Sequence, residues 1–155
     1  MTKSLQDHFA PNSICFGCGP ANLLGLKIKS YDNGEWTTCQ FQPQKHHEAF
    51  PGMVNGGIIG SILDCHCNWT AAHSMMKKFN LNQIPCTVTA EYTIKLLRPT
   101  PSSGSLLLRA KVKEHIGEDR AWVIGELIFG EKITATCTGL FVAVKEGHPA
   151  YHRWS

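Results

Sequence analysis

Apolar and polar positions along this chain switch between two periods. From Val88 to Leu96, the residues Val88, Ala90, Tyr92, Ile94 and Leu96 alternate with Thr89, Glu91, Thr93 and Lys95, which predicts a strand ending at Arg98-Pro99. Leu106, Leu108, Ala110 and Val112 alternate in the same way against Leu107, Arg109, Lys111 and Lys113. Residues 121–129 and 133–144 form two more β-branched and aromatic runs, separated by the turn candidates Gly117-Glu118-Asp119 and Gly130-Glu131-Lys132. The segment before them has a different period. Ile58, Ile59, Ile62, Leu63, Trp69, Ala72, Met75 and Met76 fall at helical intervals, so one long helix is predicted from Gly56 to about Phe79. Asn55 is a suitable N-cap, and Lys77-Lys78 complements the C-terminal end of the dipole. Two short strands, near residues 26–31 and 35–42, precede this helix around Asp32-Asn33-Gly34, a hairpin signal. Residues 43–51 read as irregular and residues 1–25 as a turn-rich extension.

The predicted order is strand, strand, helix, four strands. Consecutive strands joined by short connections are expected to be antiparallel neighbours, with the helix burying its apolar face on the sheet. The expectation is a single α+β domain spanning 1–155.

Composition narrows the class. The 155 residues are 43% hydrophobic and 17% charged, enough for a core and unlike a disordered chain. The net charge of +3 is spread along the chain rather than gathered into a basic footprint, so no nucleic-acid partner is expected. No run approaches the ~20 apolar residues that span a bilayer, and the first residues lack a signal-peptide stretch. Seven scattered cysteines suit reduced thiols better than a disulfide framework. A cytoplasmic protein without membrane contact is expected.

The stretch from Phe50-Pro51-Gly52-Met53-Val54-Asn55-Gly56-Gly57 to Leu63-Asp64 resembles the signature of the PaaI-like hotdog-fold thioesterases, in which a His-Gly-Gly precedes an acidic residue at this spacing. Val88-Thr89-Ala90-Glu91-Tyr92-Thr93-Ile94 through Arg98-Pro99 resembles that family's first long strand after the helix. Cys15-Phe16-Gly17-Cys18-Gly19 through Gly25-Leu26 resembles the N-terminal opening of one of its branches. The resemblance covers nearly the whole chain. It implies a hotdog fold (a curved antiparallel sheet wrapped around one long central helix) and an acyl-CoA thioesterase activity in which coenzyme A arrives as part of the substrate and no separate cofactor is needed.

Thioester hydrolysis needs donors for a developing oxyanion and a base or nucleophile aimed at the carbonyl carbon. A helix N-terminus offers unpaired N–H groups, and glycine there lets a carbonyl approach the backbone. The Gly57 N–H is the candidate oxyanion donor and Gly56 part of the same substrate-facing turn; both also simply shape the helix entry. Asp64 is the candidate base or nucleophile. It lies about 10 Å along the helix axis from Gly57, too far for both to hold one carbonyl in one chain. The resemblance implies that subunits pair and share sites, giving a homodimer or a dimer of dimers.

Asn55 stands where the family has His. Its amide can donate to a carbonyl or cap its own helix. The resemblance also implies a water-positioning polar residue, carried by some family members, near Ala49; Ala49 cannot take that role, and Glu48, His47 or His46 are substitutes that spacing does not separate. The resemblance makes Thr89 the residue facing the acid, although threonine is also an ordinary strand former. Arg98 and Lys95 are candidates for coenzyme A phosphates or solvated cations, and Met53, Trp69 and Met75 for pocket walls. Cys15-x-x-Cys18 falls short of the four ligands of a structural zinc site. Cys65-His66-Cys67 reads as helix packing, so no metal is expected. Two rival readings stand beside hydrolysis: a hotdog dehydratase or hydratase using His47, and an acyl-CoA-binding module without turnover.

Overall fold

A computed structural model of the chain describes residues 3–155; Met1 and Thr2 of the extension lie outside it. A one-turn helix, α1 (Leu5–Phe9), opens the described chain, with Ser4 Oγ capping Asp7 N–H at 3.0 Å. The sequence pattern read only turns here, because five residues are too few to show a helical period. Tertiary burial holds the turn, with Leu5 and Gln6 fully enclosed.

The first hairpin is β1 (Ser30–Asn33) and β2 (Trp36–Phe41). The strand expected at residues 26–31 therefore starts later. Leu26 and Ile28 are buried, but their N–H groups donate to Phe16 O and Gly17 O, tying that stretch to the N-terminal loop instead of a ladder. The supposedly irregular segment holds a 3₁₀ turn (Lys45–His47) and a small hairpin, β3 (Glu48–Phe50) with β4 (Met53–Val54). The long helix α2 (Gly56–Lys78) follows its predicted bounds to within one residue. Four long strands complete the chain: β5 (Thr87–Leu96), β6 (Leu106–Ile116), β7 (Arg120–Phe129) and β8 (Lys132–Ala143).

The main sheet is antiparallel throughout, in the order β1-β2-β6-β7-β8-β5. The neighbour expectation fails between β5 and β6. Their connection carries the chain from one edge to the middle of the sheet, where β6 pairs with β2, while β5 pairs with β8. Among the described residues the outer edge of β5 has no strand partner. The arrangement is the hotdog fold.

The sheet curves around α2, which buries Ile59, Ile62 and Leu63 in the core, while Trp69 of the same helix is buried against Trp154 and Cys18. Each such side chain contributes about 1.5–3 kcal/mol of transfer free energy. Close approach is set by Gly125 on β7, where a Cβ would lie 2.6 Å from Cys67 Sγ. A polar chain crosses this interface. Gln6 Nε2 donates to Ser30 Oγ at 2.9 Å, Gln6 Oε1 accepts from Ser30 N–H at 2.8 Å, and His66 lies 2.8 Å from both Ser30 Oγ and Thr37 O. The Thr37 carbonyl can only accept, so His66 carries its proton on Nε2 and its Nδ1 accepts a hydrogen bond from the Ser30 hydroxyl. Full burial pushes His66 down to about 4, consistent with a neutral ring. Among the described residues, no helix is long and apolar enough to cross a membrane.

Candidate active site

Gly56, Gly60 and Asp64 recur at intervals of one helical turn and so line one face of α2. That face runs antiparallel to β5. A Cβ on Gly56 would lie 3.3 Å from Leu96, a Cβ on Gly60 would lie 4.0 Å from Ile94, and Asp64 reaches Thr89. Thr89 Oγ1 donates to Asp64 Oδ1 at 2.7 Å. The pairing of β5 with β8 shifts register between Thr89 and Glu91, a bulge that re-aims the strand beside the acid.

Asp64 is half-buried, and burial raises its pKa above the usual carboxylate range. The Thr89 hydroxyl and the Arg153 guanidinium act in the opposite direction, while the Cys15 sulfur adds to the rise. Asp64 is thus a carboxylate with enhanced basicity, held in one orientation.

At the start of α2, Asn55 is exposed and its Oδ1 accepts from Gly57 N–H at 2.7 Å and from Ile58 N–H at 3.2 Å. In this conformation the expected oxyanion donor is occupied by the helix cap. The Asn55 N–H donates to His47 O at 2.8 Å, which fastens the helix start to the preceding 3₁₀ turn.

His47 is buried. Its Nδ1 accepts from Gln44 N–H at 3.0 Å and its ring packs on Phe41 and His46. Burial and the charge of His46 lower its pKa. Its ring lines a groove of about 450 Å³ with Leu24, Phe41 and His46, and no hydrogen bond joins it to Asp64. Glu48 accepts from Gly52 N–H at 3.0 Å and from the Ser102 hydroxyl, so it braces the β3–β4 hairpin. Met53 sits in that hairpin opposite Phe50. Arg98 and Lys95 are exposed at and beyond the end of β5.

Two expected pocket residues are not pocket walls in the folded chain. Trp69 and Met75 are fully buried, and Trp69 stacks on Trp154 with ring centroids 4.0 Å apart. Cys65 packs against the core, and its Sγ also lies 3.8 Å from that of Cys15; together with Cys18 these sulfurs form one cluster. Arg153 was missed altogether. Its Nη2 donates to Thr87 O at 2.7 Å, two residues from Thr89, and its charge reaches Asp64. No periodic pattern marks the C-terminal turns that deliver it.

No family model and no curated protein matches the chain. Solved structures do. A thioesterase superfamily protein from Shewanella loihica PV-4 is 32% identical, over 76% of this chain and 91% of that one, with a TM-score of 0.63. The chain belongs to the thioesterase superfamily. Two further members share the fold at lower identity. One is a putative thioesterase, a phenylacetic acid degradation-related protein from Ralstonia eutropha JMP134, with 21% identity, coverage of 76% and 86%, and a TM-score of 0.63. The other is the E. coli PaaI protein from the phenylacetic acid degradation operon, with 18% identity, coverage of 77% and 81%, and a TM-score of 0.60. In this thioesterase-type hotdog the acid of α2 and the threonine of β5 meet, while the capped helix start stands two turns away.

Proposed function

We propose that the protein hydrolyses an acyl-CoA thioester to the free acid and coenzyme A at sites shared between two copies of the chain. The observation that carries this reading is the basic, oriented carboxylate of Asp64 held by Thr89 on the same helix that begins with Asn55-Gly56-Gly57. Asp64 acts as general base or as nucleophile. In the base route it takes a proton from water as the water oxygen bonds to the carbonyl carbon. The carbonyl oxygen becomes an oxyanion, and collapse of the tetrahedral intermediate breaks the C–S bond. The departing thiolate then recovers the proton from Asp64.

The oxyanion needs donors, and Gly57 N–H is the first. For a substrate carbonyl to reach it, Asn55 rotates so that the carbonyl oxygen replaces Oδ1 and the Asn55 Nδ2 donates to the same oxygen. Exposure of Asn55 leaves room for this rotation, and giving up the cap costs about 1 kcal/mol. Because the two ends of the machinery are about 10 Å apart along one helix, the Asp64 of one protomer works with the helix start of its partner. The unpaired edge of β5 and the exposed Tyr92, Leu96 and Leu97 supply a surface for that pairing.

The dehydratase reading asks for a histidine facing the acid, whereas the His47 Nδ1 is taken by Gln44 N–H. Thiol release by the purified protein across a panel of acyl-CoAs tests the proposal. Steady multiple-turnover release supports it. Saturable acyl-CoA binding without release would establish the non-catalytic module instead, and hydration of an enoyl-CoA that is lost in His47→Ala would establish the dehydratase.

A further inference from the structure

The Sγ atoms of Cys15, Cys18 and Cys65 all lie within 4.8 Å of one another. Two come from the N-terminal loop and the third from α2, with no pattern in the sequence linking them. In tetrahedral zinc–thiolate geometry with Zn–S bonds of about 2.3 Å, sulfurs are separated by about 3.8 Å. Cys15 and Cys65 stand 3.8 Å apart. The loop is shaped to allow this. Gly17 packs directly against Cys65 Sγ, where any side chain would collide, and Gly19 N–H donates to Cys15 O at 2.8 Å to close the turn.

Trp69 Nε1–H donates to Cys18 Sγ at 3.3 Å, an outer hydrogen bond of the kind that orients a metal-bound sulfur. The cluster is partly to fully buried.

We infer that Cys15, Cys18 and Cys65 form a three-thiolate site for a zinc-class divalent cation, with solvent as the fourth ligand. Binding converts three thiols to three thiolates, releases their protons to solvent and forms three metal–sulfur bonds without any redox change. The metal joins the loop of residues 13–28 to α2 one residue from Asp64, so it anchors the wall behind the acid. The inference does not depend on thioester cleavage.

Cobalt(II) titration of the reduced, metal-stripped full-length protein tests it, alongside direct zinc analysis of the protein as purified. The expected result is one metal per chain, a sulfur-to-cobalt charge-transfer band with the visible bands of a tetrahedral ion, and displacement by zinc. Cys18→Ser and Cys65→Ser abolish the charge-transfer band, whereas Cys86→Ser, which changes a thiol outside the cluster, keeps it. Stripping the metal also exposes residues 10–30 to limited proteolysis. Absence of the band in folded wild-type protein, or its persistence in both cluster variants, overturns the inference. So does a Cys15–Cys65 disulfide forming in air with no metal taken up at any stage, which would make the cluster a redox pair. If a variant fails to fold by circular dichroism, the wild-type titration decides.

Discussion

Thr89 Oγ1 donates to Asp64 Oδ1 at 2.7 Å across the packing of β5 on α2. The two residues stand on different elements, and their meeting is the one that the family resemblance of the sequence implies. Together they define a carboxylate whose burial disfavours the anion and whose hydrogen bond restores part of that loss. The pKa of a carboxylate so placed lies above the usual aspartate range, and one of its oxygens is held by the threonine hydroxyl.

Asp64→Asn tests the acid itself. The amide oxygen can still accept from Thr89, so thermal stability should hold to within about 1 kcal/mol. Loss of the base should lower kcat for thiol release by about 10²–10⁴-fold. Wild-type turnover in a folded variant would remove Asp64 from the mechanism.

Thr89→Val keeps the strand shape and removes the donor. The expected outcome is a fall in kcat of about tenfold with KM little changed, because one hydrogen bond to a charged group is lost at the base and not at the binding surface. Thr89→Ser should recover most of the loss. Equal rates for valine, serine and threonine would reduce Thr89 to a strand former.

Asn55 separates capping from catalysis. Aspartate caps a helix about as well as asparagine, so Asn55→Asp should unfold at a temperature close to that of the parent. It has no amide donor and places negative charge beside the oxyanion, so kcat/KM should fall by about 10²–10³-fold. If kcat/KM instead stays at the parental value, Asn55 is a cap only.

Leu96 lies beside Gly56 at the helix start and is 57% exposed. Leu96→Glu should leave the chain folded, shift sedimentation from dimer to monomer, and abolish thiol release together with the dimer. Full activity in a demonstrated monomer would show that each chain holds a complete site.

His66 carries structure. Replacing it by Leu strands the Ser30 hydroxyl and the Thr37 carbonyl in the core, where each lost partner costs about 1–3 kcal/mol. Urea unfolding should register a loss of about 2–4 kcal/mol. A change within 0.5 kcal/mol, on the order of a neutral surface substitution, would mean that water reaches both groups.

The local pattern was sufficient for α2 and for the long strands, because a helical face and a pleated face impose periods that burial makes visible in one dimension. It also singled out Asp64, Gly57 and Asn55 through a spacing that resembles a family. It misplaced the first strand, since Leu26 and Ile28 are apolar for packing on the N-terminal loop and not for a ladder. It assigned Trp69 and Met75 to a pocket because period cannot distinguish a core wall from a ligand wall.

The sequence by itself determined which segments are helix and strand, and which residue types stand at the helix start. Through its family resemblance it also paired Thr89 with Asp64, a contact the fold makes. The other meetings were decided only by the tertiary structure: strand order put β5 at an edge, the helix cap occupied Gly57, the C-terminal turns brought Arg153 near the acid, and the N-terminal loop delivered Cys15 and Cys18 to Cys65. The reason is physical. Periodicity records the average environment of a face, whereas a site is made by contacts between chain-distant groups, and those depend on how the sheet closes around the helix.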